Sequence, residues 1–139
     1  MILLDTNVLS ELMRPAPNRN VLIWVDELNR VETYTSAINR AEILQGIELL
    51  SEGKRKQHLV TQAKLMFQLF DSRILPFTSH TAPLYAQIVS SRQRVGKPIH
   101  LQDAQIAATA LENNAVLATR NEKDFLGIKN LNIFNPWIG

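Results

Sequence analysis

Residues 1–7 read "MILLDTN", an apolar run that ends abruptly in an aspartate. Successive apolar side chains suit a strand buried on both faces, as strands are in parallel sheets flanked by helices. "ILL" (2–4) is therefore expected to be a strand, followed by a short helix over "NVLSELMR" that Pro15 and Pro17 stop. Asp5 falls between the two. In open parallel sheets ligands bind beyond the carboxyl ends of strands, so this is where a reactive carboxylate belongs. Aspartate is also a preferred helix N-cap, and the stretch alone leaves both roles open.

The rest of the chain alternates in the same way, which predicts an α/β domain built on a mainly parallel sheet. Residues 20–29 read as a helix with Val21, Trp24, Val25 and Leu28 on one side, and "VETYTS" (31–36) as a second strand. Ser36 is placed to cap a helix running to Gly53, and a further helix spans 55–71 with Leu59, Ala63, Met66, Phe67 and Phe70 aligned. "RILPF" (73–77) is a third strand. Ser79 then opens a helix to about 95, striped by Leu84, Ile88 and Val95, with Pro83 in its first turn. An alanine-rich helix over 101–114 leads to the strand "AVLAT" (115–119), a helical turn in "NEKDFL" and a last strand in "LNIF". No repeat, low-complexity run or linker divides the 139 residues, so one domain is expected.

Composition narrows the function classes. With 45% hydrophobic and 20% charged residues the chain is too apolar for disorder. It contains no cysteine, which excludes disulfides and Cys-based zinc sites. The N-terminal residues lack the pattern of a secretory leader, and no apolar run approaches the roughly 20 residues that span a bilayer. A cytoplasmic protein with no membrane contact is expected. The net charge of +2 is mild, and the basic residues gather only at Lys54–Lys56 and, more loosely, at Arg92, Arg94 and Lys97. Both groups read as solvated surface, with phosphate contact as the second reading.

Four acids stand apart from their neighbours. Asp5 ends the first strand. Glu42 lies in the helix after the second strand, on the flank of Ile38, Gly46 and Leu49. Asp103 heads a stripe of Ile106, Ala107 and Ala110, an alignment with a buried face that the helix dipole does not explain. Asp124 follows the strand at 115–119, where a capping box with Asn121 is the competing structural reading. A parallel sheet brings several of these positions to one edge. Clustered carboxylates repel and are costly to desolvate, and a divalent cation relieves both penalties. Mg²⁺ or Mn²⁺ takes oxygen ligands and keeps several waters, and such a site hydrolyses phosphodiesters without a histidine base. His58, His80 and His100 are scattered and offer no rival site.

Together, "MILLDTNVLSEL", "AINRAEILQGIELL", "LQDAQIAATALENN", "LATRNEKDF" and the closing "IFNPW" resemble the PIN-domain family, and within it the FitB-like VapC toxins. The resemblance covers essentially the whole chain. It implies a three-layer α/β/α fold and a Mg²⁺- or Mn²⁺-dependent endoribonuclease, the toxin of a type II toxin–antitoxin pair. It implies Asp5, Asp103 and Glu42 as metal-site acids, Glu42 acting through a water, and leaves open whether Asp124 or Asn121 completes the site. Thr6, Asn7 and Thr119 match supporting polar positions. The implied partners are RNA, a second copy of the chain, and a VapB-like antitoxin that inserts an arm into the acidic cleft and carries any promoter-DNA binding. Trp24 and Leu28 suit a dimer face, although core packing is the plainer use. Two other classes compete. A Mg²⁺-dependent phosphatase wants a second Asp where this chain has Asn7, and a non-catalytic binding domain has no need of the four acids.

Overall fold

The computed structural model describes residues 1–139. Its strands are β1 (Ile2–Leu4), β2 (Thr33–Ser36), β3 (Ile74–Leu75), β4 (Val116–Ala118) and β5 (Ile133–Phe134). Its helices are α1 (Thr6–Leu12), α2 (Arg19–Glu27), α3 (Ala37–Glu48), α4 (Lys54–Phe70), α5 (Ala82–Arg94), α6 (Leu101–Glu112) and α7 (Glu122–Phe125). The strands form one parallel sheet in the order β3-β2-β1-β4-β5. Successive strand residues point to opposite faces, so β1 feeds two cores. Leu4 packs with Val8, Ile43, Ala63 and Phe67 on the side of α1–α4, while Leu3 packs with Ile88, Ile106, Ala107 and Phe125 on the side of α5–α7. The layers are α/β/α, as expected. No helix is long and apolar enough to cross a membrane.

The strand order positions the site. From β1 the chain steps outward to β2 and β3, then returns to place β4 on the other side of β1. The crevice between β1 and β4 is thus the point where the winding reverses, the place open α/β sheets reserve for ligands. Pairing continues just past both strands: the Asp5 N–H donates to the Ala118 carbonyl at 2.9 Å, and the Thr119 N–H to the Phe134 carbonyl at 2.9 Å.

Several element boundaries differ from expectation. β2 begins at Thr33, because the Asn29 side chain accepts the Val31 N–H and turns Arg30–Glu32 into a 3₁₀ coil. α3 stops at Glu48 rather than Gly53. Lys56 donates to the Glu48 carbonyl at 3.1 Å, and Gly53, at φ 153°, starts α4 instead. Thr81, not Ser79, precedes α5. Its hydroxyl accepts the Thr78 N–H and donates to the Glu112 carboxylate at 2.5 Å, tying α5 to α6. Val95 lies beyond α5 and is exposed, so the apolar stripe ends at Ile88 and Val89. Pro76 limits β3 to Ile74–Leu75, and β5 takes only the last part of "LNIF". The capping box is absent, since Asn121 makes no side-chain bond to α7. Trp24 stacks on Phe134 with ring centroids 5.2 Å apart, which favours the packing use.

Candidate active site

Asp5 is 4% exposed, and each of its carboxylate oxygens accepts two hydrogen bonds. Oδ1 accepts the Thr6 N–H at 2.8 Å and Asn39 Nδ2 at 3.1 Å. Oδ2 accepts Thr119 Oγ1 at 2.8 Å and Asn7 Nδ2 at 3.2 Å. The two readings of Asp5 therefore coexist: it opens α1 and also sits at the sheet edge. Burial pushes its carboxyl above the usual range, against the pull of these four donors.

The donors are themselves fixed. Ser36 donates to Asn39 Oδ1 at 2.5 Å and accepts the Asn39 N–H at 3.2 Å, so the predicted cap also aims the amide of Asn39 at Asp5. Asn39 Nδ2 reaches Thr6 Oγ1 at 3.0 Å, and that hydroxyl donates to Glu42 Oε1 at 3.0 Å. Asn7 bridges Asp5 and Thr119, and its Oδ1 accepts the Arg120 N–H at 3.0 Å. Thr119 Oγ1 accepts the Asn121 N–H at 3.1 Å. One hydrogen-bonded web thus ties the ends of β1, β2 and β4 together.

Glu42 is half-buried and lines the same cleft. The buried face of α3 is Asn39, Ile43 and Ile47; of the expected flank, Ile38 is half-buried against the second core, whereas Gly46 and Leu49 are exposed. Burial first, and then the Asp5 charge, raise the Glu42 carboxyl. Asp103 stands in the first turn of α6 above the fully buried Ile106, Ala107 and Ala110, yet stays half exposed itself. Its carboxylate has no protein donor or ion pair. Burial, followed by the charges of Asp5, Asp124 and Glu42, pushes it up to about 6, with His100 working the other way.

Asp5, Glu42 and Asp103 share a cleft of about 460 Å³ with Thr6, Asn7 and Asn121. Asp124 is exposed and outside its lining, near enough to act on Asp103 through charge. Of the basic groups, Lys56 is bound to Glu52 at 2.8 Å and Arg92 to the Asp124 and Leu126 carbonyls, so both brace the fold. Sequence reasoning missed Asn39 and Arg120. The signal for Asn39 was its place three residues after Ser36 and three before Glu42, on one side of α3.

No three His, Cys, Asp or Glu side chains converge tightly enough to cage a bare ion. The donor set is nevertheless all oxygen, and Asp103 lacks any protein partner. That chemistry fits a hard divalent cation that keeps its water and takes one or two carboxylates.

The family model described as "PIN domain" matches residues 2–130. The chain belongs to the PIN-domain family. Among relatives of this PIN domain, Toxin FitB of Neisseria gonorrhoeae is 44% identical over 99% of both chains. VapC ribonuclease Y4jK of Sinorhizobium fredii is 37% identical over 99% of this chain and 98% of its own. The solved structure of FitAB bound to an IR36 DNA fragment superposes with a TM-score of 0.90 at 44% identity, covering 99% of this chain and 96% of that one. The PIN fold is thus shared at full length.

Proposed function

We propose that this chain is a single PIN domain acting as an endoribonuclease, the toxin of a type II toxin–antitoxin pair, with Mg²⁺ or Mn²⁺ at Asp5, Glu42 and Asp103. The observation that carries the reading is the convergence of these acids where the sheet winding reverses, with none of the three paired to a basic side chain. Likeness to a toxin and to a VapC ribonuclease supports it. Asp5, Glu42 and Asp103 would hold the cation, which would supply an activated water and offset charge on the scissile phosphate. The chain's part is positional. Thr6, Asn7, Asn39 and Thr119 hold Asp5 in one orientation, Thr6 steadies Glu42, and Asp103 faces the cleft free to bind. Asn121 lines the cleft and completes the polar shell, while Asp124 tunes Asp103 from outside. A VapB-like antitoxin closes this cleft and mediates any DNA binding; likeness to a chain of FitAB, solved bound to an IR36 DNA fragment, supports a partnered, DNA-bound assembly. The protein works in the cytoplasm as a homodimer.

Purified chain, freed of antitoxin, is expected to cut structured RNA with Mg²⁺ or Mn²⁺ and to lose about 100-fold or more of that rate in EDTA. Cutting undiminished by EDTA overturns the reading. Asn39→Ala tests the supporting web. It strips a donor from Asp5 and from Thr6, so stability should fall by about 2 kcal/mol. Cutting should drop roughly 10- to 100-fold, as loss of a group behind a metal ligand typically does. Thermal melts and initial rates on one RNA check both.

A further inference from the structure

An RNA backbone approaching a cleft of carboxylates is repelled, and a cation at the scissile phosphate offsets only part of that field. The cleft is lined by two basic side chains, Arg14 and Arg120. Arg14 is already neutralised: its Nη1 lies 3.3 Å from Glu11 Oε1, and the buried Glu11 also accepts the Asn18 N–H at 2.9 Å. Arg120 differs. The ion pairs of the structure involve Met1, Arg14 and Lys56, and no carboxylate of the cleft engages the Arg120 guanidinium.

Arg120 is nonetheless held in place at both ends. Its N–H donates to Asn7 Oδ1 at 3.0 Å, which registers the backbone to the web around Asp5. Its guanidinium carbon lies 5.1 Å from the Trp137 ring centroid, so the exposed side chain is stacked rather than free. Trp137 is anchored in turn, its N–H donating to Asn135 Oδ1 at 2.9 Å and its carbonyl accepting Asn20 Nδ2 at 2.9 Å. A stacked guanidinium keeps its edge N–H donors free, and that edge matches two phosphate oxygens.

We propose that Arg120, stacked on Trp137, binds an RNA phosphate next to the scissile one and sets how the strand enters the cleft. The proposal rests on the ribonuclease reading above. It makes Arg120 a substrate-positioning residue that contributes to binding more than to the chemical step.

The test uses a labelled single-stranded RNA oligonucleotide. Binding is measured by fluorescence anisotropy across a salt series in an Asp103→Asn background, where cutting is expected to be absent, with and without R120A. Losing one phosphate contact should lower the log–log salt slope by about 0.7 and weaken binding roughly tenfold. In the otherwise unaltered chain, R120A should raise KM about tenfold with kcat within about threefold, and R120K should recover most of the salt slope. Unchanged slope and KM in R120A overturn the proposal and leave the ribonuclease reading standing. So does a loss confined to kcat. If the unaltered chain neither binds nor cuts RNA, the ribonuclease reading itself fails. Because Arg120 is exposed, melting temperatures within about 2 °C of the parent are expected and confirm that the variants fold.

Discussion

Asp103→Asn should lose RNA cutting by about 10³-fold and yet fold more stably than its parent when metal is absent. The loss follows from removing a carboxylate that would hold the divalent cation against the scissile phosphate. The gain follows from its strained ionisation. Burial and the charges of Asp5, Asp124 and Glu42 raise Asp103 from its ordinary 3.8 to about 6. The folded state therefore holds a proton that the unfolded chain has given up. Stability is unaffected below about pH 4, falls as pH rises to about 6, and carries the full penalty at neutrality. A shift of about two units corresponds to about 3 kcal/mol. Asp103 is half exposed, so solvent screening leaves about 1–2 kcal/mol. The helix dipole favours an acid in this first turn, but by less than about 1 kcal/mol, which does not reverse the sign. Melting in EDTA should show Asp103→Asn about 5 °C above the parent at pH 7.5 and level with it at pH 4. Added Mg²⁺ should narrow the gap by stabilising only the parent. In cells, Asp103→Ala should relieve the slow growth caused by the chain alone. A lower melting point at pH 7.5, or undiminished toxicity, contradicts this account.

Asp5→Ala should also abolish cutting, with the opposite effect on stability. Four donors converge on Asp5: Thr6 N–H, Asn7 Nδ2, Asn39 Nδ2 and Thr119 Oγ1. Alanine leaves the Thr6 N–H and Thr119 Oγ1 without an acceptor and strips Asn7 Nδ2 and Asn39 Nδ2 of one of their two, leaving them Thr119 Oγ1 and Thr6 Oγ1. Asn39 and Thr119 are fully buried and have no water to turn to. Each orphaned buried donor costs about 1–3 kcal/mol, and relief of the desolvated charge offsets part of the sum. A net loss of about 2–3 kcal/mol is expected, read as a lower denaturation midpoint at unchanged m-value. Two acids of one cleft thus respond to substitution with opposite signs, because one accepts four hydrogen bonds and the other none. If both variants shift stability in the same direction, this picture of the cleft is wrong.

The parts of this site that depend on local pattern were readable in the sequence. An apolar run ending in Asp5, the serine cap at Ser36 and the acid at the head of an alanine-rich stripe each rest on spacings within one element. The web itself was not readable. Thr119 and Asp5 are far apart in sequence and meet only because β4 pairs with β1. Asn39 looked like an ordinary helix residue, since its meaning depends on where Thr6 lies. The errors at Gly53 and Ser79 have the same origin. In both places a long-range or neighbouring-helix partner, Lys56 or Glu112, decided a boundary that local propensity left open. Arg120 stayed hidden for a related reason, because its stacking partner lies on the final turn of the chain.

The strand order also governs when the site comes into being during synthesis. β1 and β2 are made early and pair directly, but Asp5 lacks one of its four donors, Thr119, until β4 has formed beside it. Asp103 likewise arrives late in the chain. A growing polypeptide therefore carries Asp5 at the end of its first strand before the cleft around that acid is complete.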